Sequence, residues 1–221
     1  MKKRVASQSE LDLKAWVLEQ LRRDGRIGSD TLVACEFAIP AVDLRADIAL
    51  ANGEFVGVEI KSPADSLKRL SNQIAAYRQI FDRTLLVCSS RHIIKVLGRF
   101  PDVELWEVTS DYQRVIHQRA ALPTGDERRR NAKSRIVASK SQSLSPTVTV
   151  DVHEALLGSF EQKFRSSSER FWRKAQRSQI TPGTVGLLSR FREERLRRQE
   201  FVRQNEQFWA GWSEQAALHL G

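Results

Sequence analysis

A tight hairpin is the sequence feature that most constrains this fold. Asn52-Gly53 joins two short runs of alternating character, 45–50 and 55–61, and Asn-Gly in such a setting is among the strongest short-range hairpin signals. The apolar residues must share one face of the sheet, because a one-residue slip in pairing would send one strand's set to the other face. These residues are Ile48, Leu50, Val56, Val58 and Ile60.

The pairing register predicts that two carboxylates meet across the hairpin. Facing residues should have numbers that sum to about 106 if the loop has three residues. Asp47 then lies opposite Glu59, on the face directed away from the apolar core, which also carries Lys61. Oxygen ligands of this kind suit Mg²⁺, so the pattern favours a metal site. The alternative is a solvated outer face on which Glu59 and Lys61 are ordinary surface residues.

Helices and strands alternate around this hairpin. The predicted elements are, in order, a helix over 10–23 with Ser9 as its N-cap, a strand over 31–39, the hairpin, a helix from 65 or 66 to 81, a strand over 84–88, a helix over 91–99 and strands over 103–108 and 114–117. This alternation indicates an α/β architecture. Cys35 and Cys88 fall in predicted strands and indicate reduced, buried thiols.

The motifs of this region resemble the PD-(D/E)XK nuclease superfamily. They are Asp47, the run Val58-Glu59-Ile60-Lys61-Ser62 and, in the following helix, Gln73 and Tyr77. A narrower similarity, to a group of bacterial and phage proteins placed in that superfamily, adds Asp65, Arg69-Leu70 and Phe81-Asp82. Ala46 stands where the name-giving motif has Pro. The resemblance implies a restriction-endonuclease-like core of a helix, three strands, a helix and a strand within residues 1–122.

The same resemblance implies a Mg²⁺-dependent DNA endonuclease, with Mn²⁺ as an alternative ion. The metal would be bound by Asp47, Glu59 and the backbone carbonyl of Ile60. Lys61 would orient or activate the attacking water, and Gln73 would support the site. The alternative function is a catalytically silent nucleic-acid-binding or adaptor protein that retains the fold, because fold alone does not establish activity.

Ancillary site residues are predicted around this set. Glu36 interrupts the middle of the first strand. By resemblance, Glu19 of the first helix turns toward the metal; a solvated helix residue is the alternative. Arg69 and Tyr77 complete the ancillary set.

Composition changes after the core. Residues 123–150 are rich in Arg, Lys and Ser and predict a basic flexible linker. Residues 151–221 predict a basic, aromatic-rich helical extension. Residues 126–221 carry 18 Lys and Arg against 11 Asp and Glu, whereas residues 1–125 carry 18 against 16. The excess positive charge is therefore concentrated after the core.

This charge predicts a polyanionic partner. The formal net charge is +9 and the sequence pI is about 10.0, which favours DNA lying along a basic helix face. The predicted DNA-contacting residues are Arg165, Arg173, Lys174, Arg177, Arg192, Arg195 and Arg198. Alternatives are a homodimer or protein-partner surface on the C-terminal helices, or a helix lying on anionic lipid. Neither an export signal nor a membrane span is indicated, so a cytoplasmic location is expected.

Overall fold

The structure, a computed structural model, describes residues 9–39, 44–119 and 152–188, with side chains from residue 155 in the last range. The helices are α1 (Glu10–Arg23), α2 (Leu70–Ile80), α3 (Ser90–Val96), α4 (Val152–Ala175) and α5 (Pro182–Val185), followed by a 3₁₀ turn at Gly186–Leu188. The strands are β1 (Leu32–Ala38), β2 (Arg45–Ala51), β3 (Phe55–Lys61), β4 (Arg83–Ser89), β5 (Glu104–Val108) and β6 (Arg114–Gln118).

The strands form one mixed sheet in sequential order, β1-β2-β3-β4-β5-β6. The pairs β1-β2, β2-β3 and β5-β6 are antiparallel, whereas β3-β4 and β4-β5 are parallel. Parallel neighbours need a crossover, and the chain places α2 between β3 and β4 and α3 between β4 and β5. The predicted α/β architecture is therefore confirmed.

The hairpin has the predicted register. Ile48 pairs with Val58 and Leu50 with Val56, and these side chains join the apolar cluster that packs against α1. Gly53 has a φ of 88°, a left-handed conformation that glycine adopts without steric cost. Turn chemistry and apolar alternation together thus fix which residues face each other.

The second face of the sheet is covered, so the solvated outer face considered as the alternative is wrong. All seven residues of β3 are buried. An apolar cluster contains Leu70 and Ile74 of α2 together with Leu86 and Cys88 of β4. A central strand of an α/β sheet is covered on both faces, so the polar residues of β3 lie in the interior of the protein.

Most predicted elements have the expected bounds. Helix α1 begins after Ser9, which forms a capping box with Asp12. Helix α2 begins at Leu70, later than predicted, because Asp65 stabilises a preceding turn by accepting a hydrogen bond from the Ser62 amide at 2.7 Å. Helix α3 ends at Val96, three residues earlier than predicted.

Helix α4 packs on the sheet through its aromatic side chains. Phe160 lies edge-on to Phe37 of β1 and Phe55 of β3, with ring centroids 5.3 and 5.0 Å apart. Phe171 and Trp172 join the cluster beneath α1. The aromatic stripe therefore contributes to the same core as the sheet.

Polar contacts fix α4 along the edge of the sheet. Ser168 Oγ accepts a hydrogen bond from the Val33 amide at 2.9 Å and donates one to the Val33 carbonyl at 3.2 Å. Trp172 Nε1 donates to the Thr31 carbonyl at 2.7 Å. An edge strand offers unpaired backbone groups, and α4 satisfies some of those of β1.

One compact unit comprises residues 1–188, and a second comprises 189–221. The predicted boundary at residue 150 does not match this division, because α4 belongs to the sheet unit. The predicted linker and the helix expected beyond residue 188 lie outside the described residues.

We expect a chain ending at residue 150 to lose cooperative folding. It would lack Phe160, Phe171 and Trp172, and truncating one buried aromatic typically costs about 3–5 kcal/mol against a total stability of about 5–15 kcal/mol. Urea unfolding followed by circular dichroism tests this. A chain ending at residue 188 is the matched control and should unfold cooperatively. A cooperative transition of the shorter chain at the control's midpoint would contradict the prediction.

Candidate functional site

Four predicted site residues form one buried hydrogen-bonded group, here called the Glu59 network: Glu59, Lys61, Gln73 and Tyr77. Glu59 Oε1 accepts a hydrogen bond from Gln73 Nε2 at 2.6 Å and lies 2.7 Å from Lys61 Nζ. Glu59 Oε2 accepts from the Tyr77 hydroxyl at 2.6 Å. Lys61 Nζ also donates to Gln73 Oε1 at 2.9 Å.

Secondary structure explains why these side chains converge. Glu59 and Lys61 are two residues apart on β3, so they share one face of the sheet. Gln73 and Tyr77 are four residues apart on α2, so they share one face of the helix. Because α2 crosses the face of β3 that carries the charges, its polar positions meet them.

Because the Glu59 network is buried, its charged groups must stay paired for the fold to be stable. Glu59 is 2% exposed and Lys61 7% exposed, and removing one partner of a buried pair typically costs about 3–5 kcal/mol. Glu59 accepts two hydrogen bonds, from Gln73 and Tyr77, and forms an ion pair with Lys61, whereas its two oxygens offer about four acceptor positions. The Lys61 ammonium has three donors, of which one binds Gln73 and one is directed to the ion pair with Glu59. Within the described residues, at least one acceptor position of Glu59 and one donor of Lys61 have no partner.

Asp47 lies opposite Glu59, as predicted, in the continuation of the β2-β3 register. Its Oδ2 accepts a hydrogen bond from the Ile60 amide at 2.7 Å. Within the described residues no donor reaches its Oδ1. Burial, and then the charge of Glu59, raise the pKa of Asp47 to about 8. This carboxyl group therefore favours a proton or another cation beside it.

The raised pKa predicts how Asp47 affects stability. The folded state holds a proton that the unfolded state has lost above the ordinary value of 3.8, so the contribution is full below that pH and is lost as the pH rises through about 8. Asp47→Asn should therefore raise the unfolding temperature in EDTA, with a gain that grows from pH 5 to pH 8. Calorimetry of parent and variant tests this. The exposed Asp30→Asn is the control, and an equal gain at all pH values would contradict the prediction.

A second group of carboxylates adjoins Asp47. Oxygens of Glu10, Glu36 and Asp47 all lie within 4.8 Å of one another. Glu36 occupies the β1 position that faces Asp47 and has a φ of 55°, which is uncommon for a residue other than glycine. Glu36, Asp47 and Glu59 thus form a row of acidic residues across three adjacent strands.

Sequence analysis missed Glu10 and Lys14, both on α1. Lys14 is 1% exposed, and its ammonium forms ion pairs with Glu10 and Glu36. The available signal was helical spacing, because position 14 shares its helix face with the buried Val17, Leu18 and Leu21. A lysine at an apolar position of a core helix indicates a buried charge partner.

Of the ancillary predictions, Glu36 and Tyr77 lie at the site, whereas Glu19 and Arg69 do not. Glu19 pairs with Arg22 and Arg23 and accepts a hydrogen bond from the Ile180 amide at 3.2 Å. It therefore attaches the segment before α5 to α1 and does not turn toward the carboxylates. Arg69 is exposed at the start of α2.

The predicted DNA-contacting residues are described in part. Arg165, Arg173, Lys174 and Arg177 are exposed on α4 or just after it. Arg165 forms an ion pair with Glu161. Arg192, Arg195 and Arg198 lie outside the described residues.

The donor set fits a hard divalent cation. Asp47 offers Oδ1, Glu59 retains one acceptor position, and the two residues face each other across adjacent strands, where opposed Cβ atoms are about 4.5–5.5 Å apart. Carboxylate and carbonyl oxygens are the ligands that Mg²⁺ takes. Glu59 is not part of the carboxylate group formed by Glu10, Glu36 and Asp47, so Asp47 is the residue common to both arrangements.

Comparison with known proteins gives the family of the chain. A family model described as Bacteriophage P4 protein cII matches residues 3–189. The chain belongs to this family. The range matched by the phage P4 cII family model includes every strand and helix described above. Protein cII of Enterobacteria phage P4 is 34% identical over 107 residues, which are 48% of this chain and 40% of that protein.

A solved structure gives a weaker similarity. The SPO1766 protein of unknown function from Silicibacter pomeroyi is 21% identical, with a TM-score of 0.43 over 75% of this chain and 89% of that one. This similarity is too low to support a functional argument. In the described part of the chain, no helix is both long enough and apolar enough to cross a membrane.

Proposed function

We propose that this member of the phage P4 cII family is a Mg²⁺-dependent nuclease that hydrolyses phosphodiester bonds in DNA. The observation that carries the proposal is the buried Glu59 network beside the half-buried Asp47. The order of α1, three antiparallel strands, α2 and β4 also matches the restriction-endonuclease-like core that the sequence motifs imply, and we propose that assignment for the sheet unit.

Two carboxylates and one backbone carbonyl would bind the ion. Asp47 and Glu59 would be its side-chain ligands and the Ile60 carbonyl its backbone ligand. When bound, Mg²⁺ supplies a Lewis acid that activates water and offsets negative charge on the phosphate. Burial, and then the charge of Glu59, raise the pKa of Asp47, and such an ion would compensate the carboxylate charge that both disfavour.

The Lys61 ammonium is the side-chain group that would act in catalysis beside the metal ion. An ion pair with Glu59 and a hydrogen bond to Gln73 fix its position, and a remaining donor would hold a water molecule or a phosphate oxygen. A preorganised charge of this kind stabilises the transition state because it needs no reorientation during the reaction. Gln73 and Tyr77 are positioning residues, because both act by holding the Glu59 carboxylate.

Incubation with DNA tests the proposal. Linear, circular and single-stranded DNA would each be incubated with the full chain and Mg²⁺, Mn²⁺ or EDTA. Cleavage that requires the ion supports the nuclease, and cleavage of the circle shows endonuclease activity. DNA that stays intact with both ions contradicts the proposal.

One observation favours a second function, that of a catalytically silent DNA-binding or adaptor protein. Lys61 pairs with Glu59, and Lys14 pairs with both Glu10 and Glu36, so each of these three carboxylates already has an ammonium group beside it. Such a site would be stable with no ion bound. DNA binding by the parent without cleavage under any of the conditions above would establish this alternative.

We further propose that the basic face of α4 binds DNA. Replacing Arg173 and Lys174 by Gln should weaken binding and lower the slope of log affinity against log salt by up to about 2 units, because each lost phosphate contact removes about 0.9. Fluorescence anisotropy from 50 to 300 mM salt measures both quantities. Lys68→Gln with Lys95→Gln, which removes two exposed lysines outside α4, is the matched control. Equal effects from the two pairs would contradict the assignment.

A homodimer or protein partner on the C-terminal helices and a cytoplasmic location remain predictions. The helical segment predicted to carry most of such an interface, beyond residue 188, lies outside the described residues.

A further inference from the structure

Lys14 is the most deeply buried charged residue in the described part of the chain, at 1% exposure. Lysine is almost never fully buried unless it is paired, and the Lys14 ammonium pairs with both Glu10 and Glu36. Burial lowers the pKa of Lys14, but the hydrogen bonds that its ammonium donates to Glu10 and Glu36 outweigh this effect and raise the pKa above its ordinary value. Lys14 is therefore a fixed positive charge within the acidic group.

The balance of charge around Asp47 indicates how many ions the site takes. Metal binding requires ionised carboxylates, and in that state Glu10, Glu36, Asp47 and Glu59 bring four negative charges, whereas Lys14 and Lys61 bring two positive charges. The remaining two negative charges equal the charge of one divalent cation. Lys61 compensates the Glu59 end of the row of carboxylates, and Lys14 compensates the Glu36 end.

We propose that the Lys14 ammonium takes the place of a second metal ion. The site then binds one divalent cation, at Asp47 and Glu59. Glu10 and Glu36 bind the Lys14 ammonium instead of a second cation. This inference rests on the proposed metal site and adds its stoichiometry. Three carboxylates with oxygens within 4.8 Å form an oxygen-rich ligand group of the kind that divalent ions accept. The ammonium of Lys14 now occupies two of the three.

The first experiment counts Mn²⁺ ions bound to the full chain by electron paramagnetic resonance. The parent should bind one ion. Lys14→Met removes the ammonium but keeps an unbranched apolar chain. It should bind two ions, because Glu10 and Glu36 then lack their cation, next to the Asp47 that binds the first ion. Lys95→Met, at an exposed position on α3, is the control and should bind one. A parent that binds two ions, or a folded Lys14→Met that binds one, overturns the inference.

Glu10→Gln tests the same inference without disturbing the core, because the Glu10 side chain is 66% exposed. If Glu10 serves Lys14 and not the metal, the parent's Mn²⁺ affinity should change by about fivefold at most. A loss well above about tenfold, equivalent to 1.4 kcal/mol, would make Glu10 a metal ligand and overturn the inference.

The same measurements distinguish failure of the proposed metal site from failure of the inference about Lys14. A parent that binds no Mn²⁺, and whose unfolding temperature neither Mg²⁺ nor Mn²⁺ changes, overturns the metal site itself. If the parent binds two ions, or if its Mn²⁺ affinity depends strongly on Glu10, the metal site is supported and only the role of Lys14 is overturned.

Discussion

Lys61→Ala should reduce DNA cleavage by roughly 10²- to 10³-fold while leaving DNA affinity nearly unchanged. The ammonium is fixed between Glu59 and Gln73 at 2.7 and 2.9 Å, and its remaining donor is the group that would hold a water molecule or a phosphate oxygen. Its removal takes away a preorganised charge that acts in the transition state. The proposed DNA binding would depend mainly on exposed basic side chains, which the substitution does not change.

Three measurements test this prediction: the cleavage rate, the DNA affinity and the unfolding temperature of parent and variant. Unfolding must be measured because the substitution leaves Glu59 buried without its cation, which typically costs about 3–5 kcal/mol. Lys61→Gln is a second variant that keeps hydrogen-bonding groups near Glu59 and Gln73. Lys95→Ala is the exposed control and should cleave at the parent's rate. A folded Lys61→Ala that cleaves as fast as an active parent would remove Lys61 from the catalytic assignment.

The pairing of Asp47 with Glu59 could be predicted because two local signals agree. The Asn52-Gly53 turn limits the loop length, and the apolar residues of the two strands can share a face in one register only. Both conditions are properties of neighbouring residues, so no knowledge of the rest of the chain is needed. The observed pairing of Ile48 with Val58 confirms this reasoning.

The burial of that same site was not predicted, although β3 carries a signal for it. Phe55 and Gly57 lie on the charged face of the strand and are apolar, as expected when both faces are covered. Gly57 is closely covered by Phe81, since a Cβ at this position would lie 2.4 Å from the ring. The strand therefore resembles a buried strand interrupted by two charged residues, Glu59 and Lys61.

The placement of helices could not be predicted from periodicity. Spacing identifies the buried face of α1, but it does not say which end of the helix reaches the carboxylates. Glu10 lies there, whereas Glu19 lies about 2.5 turns away and pairs with Arg22. In the same way, the aromatic stripe of α4 fits either a helical hairpin or the sheet, and the contact of Phe160 with Phe37 shows that it covers the sheet.

Asp47→Asn and Glu59→Gln should abolish cleavage, by about 10³-fold or more, while DNA affinity is kept or raised. Each substitution preserves shape and removes a negative charge. Loss of a proposed metal ligand stops the reaction, and loss of repulsion toward phosphates favours binding. Cleavage assays in Mg²⁺ and binding assays in EDTA measure the two effects separately. A folded Asp47→Asn that cleaves at the parent's rate would contradict the metal assignment.

Asp47→Asn is the more decisive of the two variants. Glu59→Gln leaves the buried Lys61 without its anionic partner, so part of its effect would come from lost stability. Asp47 has no ion pair among the described residues, and burial and the charge of Glu59 raise its pKa, so the amide should make the folded state more stable at pH 8. A carboxylate that only supports the fold would show lower stability when it is replaced. Loss of cleavage together with unchanged or tighter DNA binding and a higher unfolding temperature therefore distinguishes a catalytic carboxylate from a structural one.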